Sequence, residues 1–590
     1  MSEASYVKGG SFLVRDTAPG EIFTPEDLTS EQLQFAKTAR DFVVNEAIPV
    51  SDPIENKEFE VTLGLFRKAG ELGLLMADVP EEYGGLGLDK ASSALITENM
   101  SGQGSFSVMY GAHVGIGTLP IVYYGTPELK QKYLPGLADG STVGCYCLTE
   151  PQAGSDALSG RTKAVLSPDG THYVLNGTKQ FITNGGLAQV FIVFAKIDGE
   201  HFTGFVLDRN TPGLTVGPEE HKLGIRGSST TTVILEDARV PTGNVLGEIG
   251  QGHKIAFNIL NIGRFKLGAG CVGSCRFAIE HSLAYALERK QFGRRLADFG
   301  LIREKLAEMV VRTYAAQAAV YRTVGLIDHL LASGGAHGAA ALQSIEEYSV
   351  ECAMVKVIGS EALDYVVDEA VQVFGGYGYC AEYPVERYYR DSRINRIFEG
   401  TNEINRMLVP GMLLRKAMKG EIPLFQAAKA LQEELMGIPS FDLEAETGLL
   451  DAEVKLVANL KKFALFVAGV AAQKHGKALA EQQVVLSRLA DLCIAAYTAE
   501  STLLRALKDA GKRGEAAAAV PVAIARIACE EAMSRAEGFA RETLAAMESG
   551  DTLTTMLAAL RRLLRRTPAD TVALRDQIAA RLVEMERLAY

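Results

Sequence analysis

The chain has 590 residues, of which 47% are hydrophobic and 22% are charged, and its formal net charge is −12. This composition is typical of a globular protein, and a chain of this length predicts two to four domains. The acidic balance disfavours a nucleic-acid-binding protein, and no uninterrupted apolar run approaches the roughly 18 residues needed to span a membrane.

Residues 1–28 carry Gly, Pro and mixed charge, and we interpret them as an extended arm. The first ten residues, MSEASYVKGG, have neither an apolar signal core nor an Arg-rich transit pattern. The eight cysteines include no C-x-x-C pair, which indicates a reducing compartment and no metal site. Cys271 and Cys275 are four residues apart on a predicted helix and are expected to be buried thiols. We expect a cytoplasmic protein.

Residues 29–141 have the pattern of an N-terminal helical domain. Thr29 and Gln32 are spaced as a capping box, and the helix that they begin is expected to stop at Pro49. Helical patterns continue through residues 66–75 and 91–103. Thr126 followed by Pro127 marks another helix start.

Residues 142–250 consist of short β-branched and aromatic runs, such as VGCYCLTE and TTTVILEDARVP. Three turn signals separate these runs: Pro168-Asp169-Gly170, Asn176-Gly177 and Asp198-Gly199. The spacing predicts a small antiparallel barrel or sandwich.

The remainder of the chain is predicted to be helical in two blocks. Residues 251–410 include segments 271–290, 301–331 and 345–374, which have the length and period of bundle helices. The second block, residues 442–590, is predicted to be an additional helical domain. One apolar stripe supports this prediction: Leu486, Leu489, Cys493, Ala496, Leu503 and Leu507.

Residues 411–441, between the two blocks, are rich in Gly and Pro and are interpreted as an irregular linker. Within them, residues 424–436 are mildly amphipathic. This stretch is either a membrane-contact element or a solvated linker helix.

No phosphate-binding Walker loop, H-E-x-x-H zinc motif or G-x-S-x-G nucleophile motif is present. Residues 375–378, GGYG, are not a dinucleotide fingerprint, because a helix precedes them where a strand is needed. Three other loops, residues 149–156, 181–186 and 289–293, combine backbone N–H groups, small hydroxyls and Arg289. Each is consistent with ordinary turn chemistry, but together they suit a flat, phosphate-bearing cofactor.

Glu399, in RIFEGTNEINR, lies just before a predicted helix. An acid at that place usually complements the helix dipole. Alternatively, Phe398 and Gly400 place the carboxylate beside an apolar cleft, where burial raises its pKa towards that of a general base.

Five motifs, in this order along the chain, resemble those of the acyl-CoA dehydrogenases: CYCLTEPQAGSD (145–156), QFITNGG (180–186), ERKQFG (288–293), QVFGGYGYCAEYPVER (372–387) and RIFEGTNEI (396–404). The resemblance covers residues 30–410. It implies an N-terminal helical domain, a β-domain and a four-helix bundle. The further 180 or so residues, with ILNIGRF (259–265) and YGAHVGIG (110–117), resemble the very-long-chain branch of the family and its C-terminal helical domain.

The resemblance implies that Glu399 removes the α-proton of an acyl-CoA while the β-hydride passes to N5 of FAD. The backbone N–H of Glu399 and a flavin hydroxyl would hold the thioester oxygen. It also implies an FAD site formed by Tyr146, Leu148, Thr149, Gly154, Ser155, Phe181, Ile182, Thr183, Thr401 and Glu403. Substrate contacts are implied for Ser155, Asn261, Arg264, Phe398 and Gly400.

Five further positions match residues that hold the FAD of a neighbouring subunit: Arg289, Gln291, Phe292, Gln372 and Gly376. The resemblance therefore implies an oligomer, expected to be a homodimer.

Two positions refine the resemblance. Some branches carry the base where Gly263 stands; glycine cannot serve, so Glu399 is the only candidate. Most members have Trp where Phe181 stands, and this chain has no Trp. This departure affects flavin shielding or the contact with the electron acceptor.

The expected function is oxidation of long- or very-long-chain acyl-CoA to trans-2-enoyl-CoA in β-oxidation, with electron-transfer flavoprotein as the partner. Gly111, Gly115 and Gly117 either open a deep acyl channel or let helices approach closely. Two alternatives remain open, an acyl-CoA oxidase that uses oxygen and an assembly factor for a respiratory complex. Peripheral contact with the inner membrane is also compatible with the sequence.

Overall fold

A computed structural model describes residues 6–334, 339–436 and 448–588. The order of domains agrees with the prediction: a helical N-terminal domain, a β-domain, a helical bundle and a further helical domain.

The N-terminal arm is packed on the protein, which corrects the prediction of an extended segment. It contains three 3₁₀ turns, at Ser11–Leu13, Pro19–Glu21 and Pro25–Asp27. Phe12 is buried, and Glu26 forms an ion pair of 2.7 Å with Arg505 of the C-terminal domain. These contacts overcome the conformational entropy that would otherwise leave a terminal segment loose.

The N-terminal domain contains seven α-helices: α1 (Ser30–Phe42), α2 (Ser51–Glu55), α3 (Phe59–Glu71), α4 (Lys90–Asn99), α5 (Gly104–Gly111), α6 (Leu119–Tyr124) and α7 (Pro127–Asp139). The capping box is confirmed, since Thr29 Oγ1 accepts a hydrogen bond from Gln32 N and Gln32 Oε1 accepts one from Thr29 N. The chain does not leave helical geometry at Pro49. A π-helical turn and a 3₁₀ turn carry it into α2.

The helical stretch Gly104–Tyr124 is long and apolar enough to span a membrane, but 72% of its 18-residue apolar window is buried inside the protein. It contains α5, a π-helical turn at Ala112–Gly117, and α6. Core helices pass the same length and composition test, and the burial places this stretch in the core.

The β-domain is one eight-stranded sheet: β1 (Gly144–Cys147), β2 (Lys163–Leu166), β3 (His172–Thr183), β4 (Val190–Ile197), β5 (His201–Asp208), β6 (Leu214–Glu219), β7 (Thr230–Pro241) and β8 (Val245–Leu246). The strand order is β6-β7-β3-β2-β4-β5-β8, with β1 paired to β4. Most pairs are antiparallel as predicted, but β4 is parallel to both β1 and β2.

Two of the three predicted turns join antiparallel strands, and the third prediction was wrong. Asn176-Gly177 lies inside β3, at an irregularity in its pairing with β7. A side chain at Gly177 would collide with Thr162. This glycine therefore serves close approach of two backbones and not a reversal of the chain.

The bundle follows, with α8 (Gly252–Glu288), a hairpin of β9 (Lys290–Gln291) and β10 (Arg294–Arg295), α9 (Gly300–Gly334), α10 (Ala339–Glu347), α11 (Ser349–Phe374), α12 (Pro384–Ser392) and α13 (Asn402–Met418). Cys271 and Cys275 are buried in α8, as predicted. A helix precedes residues 375–378, which agrees with the rejection of a dinucleotide fingerprint.

The C-terminal helices are α14 (Leu424–Met436), α15 (Asp451–His475), α16 (Gln483–Arg513), α17 (Ala519–Met547), α18 (Gly550–Leu563) and α19 (Thr571–Met585). The predicted linker is less irregular than expected, because α13 continues to Met418 through Pro410 and α14 follows. Burial of Val409 and Leu413 on α13 outweighs the cost of the internal proline. Residues 437–441 of the predicted linker lie outside the described residues.

Candidate active site

Glu399 lies in a strained loop immediately before α13. Its φ is 57° and that of Gly400 is 79°, so both residues adopt left-handed backbone geometry. Such geometry is unfavourable for a glutamate and persists only where neighbours enforce it. Thr401 then caps α13 by accepting a hydrogen bond from Ile404 N at 3.2 Å.

Two side chains hold this loop through its carbonyl groups. Asn405 Nδ2 donates to the carbonyl oxygens of Gly400 and Thr401 at 2.8 and 3.0 Å. Arg264 Nε, from α8, donates to the carbonyl oxygen of Glu399 at 3.3 Å. The position of Glu399 is therefore set both by α13, which carries Asn405, and by α8, which carries Arg264.

The Glu399 carboxylate points towards α8. An ideal Cβ built on Gly263 would lie 2.6 Å from Oε2 of Glu399. Oε2 is buried and has no hydrogen-bond partner among the described residues. Burial raises the pKa of Glu399 to about 7, although Arg264 and Lys356 oppose the rise. A carboxylate with this pKa can take up a proton near neutral pH.

The two cations near the Glu399 carboxylate, Arg264 and Lys356, donate to asparagine side chains. Arg264 Nη1 donates to Asn261 Oδ1 at 2.7 Å, and Lys356 Nζ donates to Asn402 Oδ1 at 2.7 Å. Burial lowers the pKa of Lys356 to about 8. They act on the Glu399 carboxylate through their charge and leave its buried oxygen free for a substrate proton.

Tyr146 of β1 contributes to the same site. Its ring is buried, and its hydroxyl has no hydrogen-bond partner in the described part of the chain. Burial raises the pKa of Tyr146 well above its usual value, and the charge of Glu399 adds to the rise. Leu148 is also buried, whereas Gly154 and Ser155 lie on the exposed loop that follows.

The second predicted loop, at the end of β3, lies beside the first. Gln180 N donates to the carbonyl oxygen of Thr149 at 3.0 Å. Phe181 has a φ of 57° and is 60% exposed, while Ile182 is buried and Thr183 is half-buried. The two segments thus present an aromatic ring and polar groups at one end of the sheet.

The third group of predicted residues lies at the far end of α8. Phe292 is at the tip of the β9–β10 hairpin and is 93% exposed. Arg289 lies over the ring of Tyr377, 5.5 Å from its centroid, next to Gly376 at the end of α11. Gln291 and Gln372 are exposed on the same two elements. This group is separate from Glu399.

Asn261 and Arg264 were predicted to contact CoA. Both are buried, and Arg264 contacts the Glu399 loop, so their role towards CoA stays a prediction. Phe398 and Gly400 are half-buried beside Glu399, and Glu403 is exposed on the first turn of α13. Sequence reasoning missed Lys356 and Asn405. Asn405 could have been found from the sequence, because it lies in the stretch RIFEGTNEINR, six residues after Glu399.

Family models match about four fifths of the chain. They are an acyl-CoA dehydrogenase N-terminal domain at residues 29–141, a middle domain at 145–238, and C-terminal domains at 250–413 and 459–562. The chain belongs to the acyl-CoA dehydrogenase family.

Several acyl-CoA dehydrogenases are similar over long alignments. A probable acyl-CoA dehydrogenase of Bacillus subtilis (strain 168) is 53% identical, with 99% of each chain covered. The human mitochondrial very long-chain specific acyl-CoA dehydrogenase is 38% identical, covering 89% of this chain and 81% of the human protein.

Solved structures of acyl-CoA dehydrogenases are also similar to this chain. The Bacillus anthracis acyl-CoA dehydrogenase complexed with FAD has a TM-score of 0.97 and 54% identity, covering 99% of this chain and 100% of that one. The Megasphaera elsdenii butyryl-CoA dehydrogenase has a TM-score of 0.60 and 37% identity, covering 66% of this chain and 99% of its own.

Proposed function

We propose that this protein is an FAD-dependent dehydrogenase of long- or very-long-chain acyl-CoA in fatty-acid β-oxidation, with Glu399 as the base. The main observation behind the proposal is the Glu399 carboxylate, whose buried Oε2 has no hydrogen-bond partner among the described residues and whose pKa is raised by burial to about 7. Membership of the family and the FAD-bound relative from Bacillus anthracis support it.

The residues at the site fit FAD. The hydroxyl of Tyr146 is a buried polar group without a partner in the described residues, as expected of a group that a cofactor satisfies. An ideal Cβ at Gly154 would meet no atom within 4 Å, so the exposed loop has room for a ligand against its backbone. Ser155 and Thr149 add hydroxyls along the same segment.

The chain supplies the acid–base part of the reaction. When bound, FAD supplies the acceptor for the β-hydride. Glu399 takes the α-proton, and the charges of Arg264 and Lys356 keep enough of its carboxylate ionised at neutral pH. No described residue accepts a hydrogen bond from the N–H of Glu399, so this donor is free to stabilise charge on the thioester oxygen.

The length of α8 supports a dimer. Glu399 faces Gly263, whereas Arg289 follows the end of the same continuous helix 26 residues later. At 1.5 Å per residue, the two positions are about 39 Å apart. This separation supports our proposal that Arg289, Phe292 and Gly376 contact the cofactor of a second copy of the chain.

The glycines of the π-helical region support a long acyl chain. An ideal Cβ at Gly115, which is buried, would meet no atom within 4 Å, so Gly115 borders open space inside the domain. Gly117 differs, because its Cβ would lie 2.8 Å from the backbone of Gly144. Gly115 thus fits the channel interpretation and Gly117 the close-packing interpretation.

The electron acceptor, the cellular location and membrane contact stay predictions. The exposed ring of Phe181 is an apolar contact suited to an electron-accepting protein, for which we propose electron-transfer flavoprotein. Leu431 and Leu435 of α14 are buried, so that helix uses its apolar side internally. This burial favours the linker interpretation of α14.

Anaerobic titration with acyl-CoAs of graded chain length tests the proposal. The absorbance of the oxidised flavin should bleach, most strongly with long chains. A colourless protein, or flavin indifferent to every acyl-CoA, would contradict the enzyme and favour a structural role. Peroxide release in air without another acceptor would instead identify an oxidase.

A further inference from the structure

Glu150 lies three residues after the end of β1, within the predicted flavin-facing segment, and its side chain is buried away from solvent. Its backbone pairs with Ala153, which closes a tight loop. Its carboxylate accepts five hydrogen bonds: from Lys179 Nζ (2.7 Å), Thr162 Oγ1 (2.6 Å), Thr162 N (3.1 Å), Arg161 N (2.6 Å) and Gln152 Nε2 (2.9 Å).

These bonds join segments that the sheet itself does not pair. β1 pairs with β4, whereas β3 lies between β7 and β2. Lys179 of β3 donates both to Glu150 and to the carbonyl oxygen of Leu148 (3.4 Å), so it connects the ends of β1 and β3.

The connection lies next to an irregularity in β3. The pairing register with β7 shifts between Lys179 and Ile182, and Phe181 between them has left-handed geometry. Such bulges redirect side chains and end the regular ladder. The anchored Lys179 therefore determines where Phe181 and Thr183 emerge from the sheet.

Glu150 and Lys179 form a buried ion pair of 2.7 Å, in which burial lowers the pKa of Lys179 and the charge of Glu150 opposes that lowering. Burial alone would raise the pKa of Glu150, but Lys179 and the hydrogen bonds to Thr162 and Arg161 lower it to about 2. Loss of this carboxylate charge would leave a buried ammonium group without its partner.

We propose that Glu150 is a positioning residue that, through Lys179 and Thr162, fixes the two flavin-facing segments relative to each other. This inference rests on the proposed FAD site. It assigns to Glu150 no contact with substrate or cofactor. Its function is to keep the segments at the spacing that FAD requires.

The test compares Glu150→Gln with Glu500→Gln. Glu500 is a matched control, because it is a buried carboxylate paired with Arg322 and Lys461, among helices of the bundle and the C-terminal domain. FAD dissociation constants of the stripped proteins, the visible flavin spectrum and the flavin reduction potential would be measured beside the unfolding midpoint. Thr162→Val removes one side-chain bond to Glu150 and is the milder variant if Glu150→Gln does not fold.

We expect Glu150→Gln to weaken FAD binding about tenfold or more, the equivalent of one charged hydrogen bond, and to change the flavin spectrum. Thr162→Val should change both in the same direction by less. Glu500→Gln should lower the unfolding midpoint without either change. The inference would be overturned if Glu150→Gln left the FAD affinity and the flavin spectrum unchanged. If only Thr162→Val folds, unchanged values in that variant would overturn it. An equal loss of FAD affinity in Glu500→Gln would also overturn it. If the flavin of the wild-type protein did not respond to acyl-CoA, the proposed function would be overturned. The FAD dissociation constants of the variants could still be compared, so the inference about Glu150 would be tested separately.

Discussion

Gly263 of α8 and Glu399 of the loop before α13 share one space, since the carboxylate of Glu399 occupies the place of a side chain at position 263. Gly263→Ala should therefore displace the carboxylate and slow flavin reduction by acyl-CoA about tenfold to a hundredfold, as expected for a misplaced base. FAD binding should be unchanged. Gly270→Ala, on the same helix, is the control, because its Cβ would lie 3.3 Å from the Ser101 hydroxyl and 3.9 Å from Thr97 Cγ2, away from Glu399. Stopped-flow reduction rates of the two variants check this, and an equal effect in both would refute it.

Glu399→Gln keeps the shape of the side chain and removes the base. Reduction should fall by about 10²–10⁴-fold, the usual contribution of a general base, while the bound yellow cofactor remains. In the wild type, the reduction rate should rise with pH through about 7, because only the ionised carboxylate accepts the proton. Rapid-reaction measurements from pH 5.5 to 8.5 check both expectations. Substantial turnover in the variant would show that the base is another group.

The same substitution should stabilise the fold at high pH. A carboxyl whose folded-state pKa lies above its unfolded value binds the proton more tightly when folded, so wild-type stability falls as pH rises from about 4.5 through 7. Glu399→Gln lacks this loss and should be more stable by about 3 kcal/mol at pH 8, but not at pH 4.5. The measurement is the free energy of unfolding in urea of the wild type and the variant at pH 8 and at pH 4.5. Equal stability at pH 8 would mean that the carboxylate is not desolvated.

Gly115→Leu should fill the open space in the π-helical region. Turnover of long-chain acyl-CoA should then fall much more than turnover of short chains, because only a long chain reaches that depth. Gly64→Leu is the control, since Gly64 is also an open helical glycine but is exposed. The ratio of kcat/KM between long and short substrates is the measurement. A uniform loss would place the acyl channel elsewhere.

Mixed dimers test whether two chains build each site. Glu399→Gln dimers should be inactive, and Arg289→Ala/Phe292→Ala dimers should bind FAD weakly. A dimer with one chain of each kind has one intact site, formed by Glu399 of one chain and the α8 end of the other. Activity should return when the two are mixed under conditions that exchange subunits. Absence of any recovery, with exchange shown independently, would assign Arg289 and Phe292 a role within their own chain.

Local sequence signals predicted the features that depend on a few neighbouring residues. Thr29 with Gln32 marked a helix start, Thr126 with Pro127 marked another, and both caps are present. The apolar stripe of α16 was predicted because its period repeats for many turns. The turn prediction at Asn176-Gly177 was wrong. Sequence alone does not distinguish a glycine that allows two backbones to approach closely from a glycine that forms a turn.

The sequence also predicted which residue is the base, because glycine at position 263 cannot serve at the rival position and the motifs that resemble those of the family contain Glu399. Only the tertiary structure decided the state of that base. Its raised pKa comes from burial between β1, α8 and α13, and the cations that moderate it, Arg264 and Lys356, lie 135 and 43 residues away in the chain. Burial and electrostatic fields depend on distance in space, which neither spacing nor composition encodes.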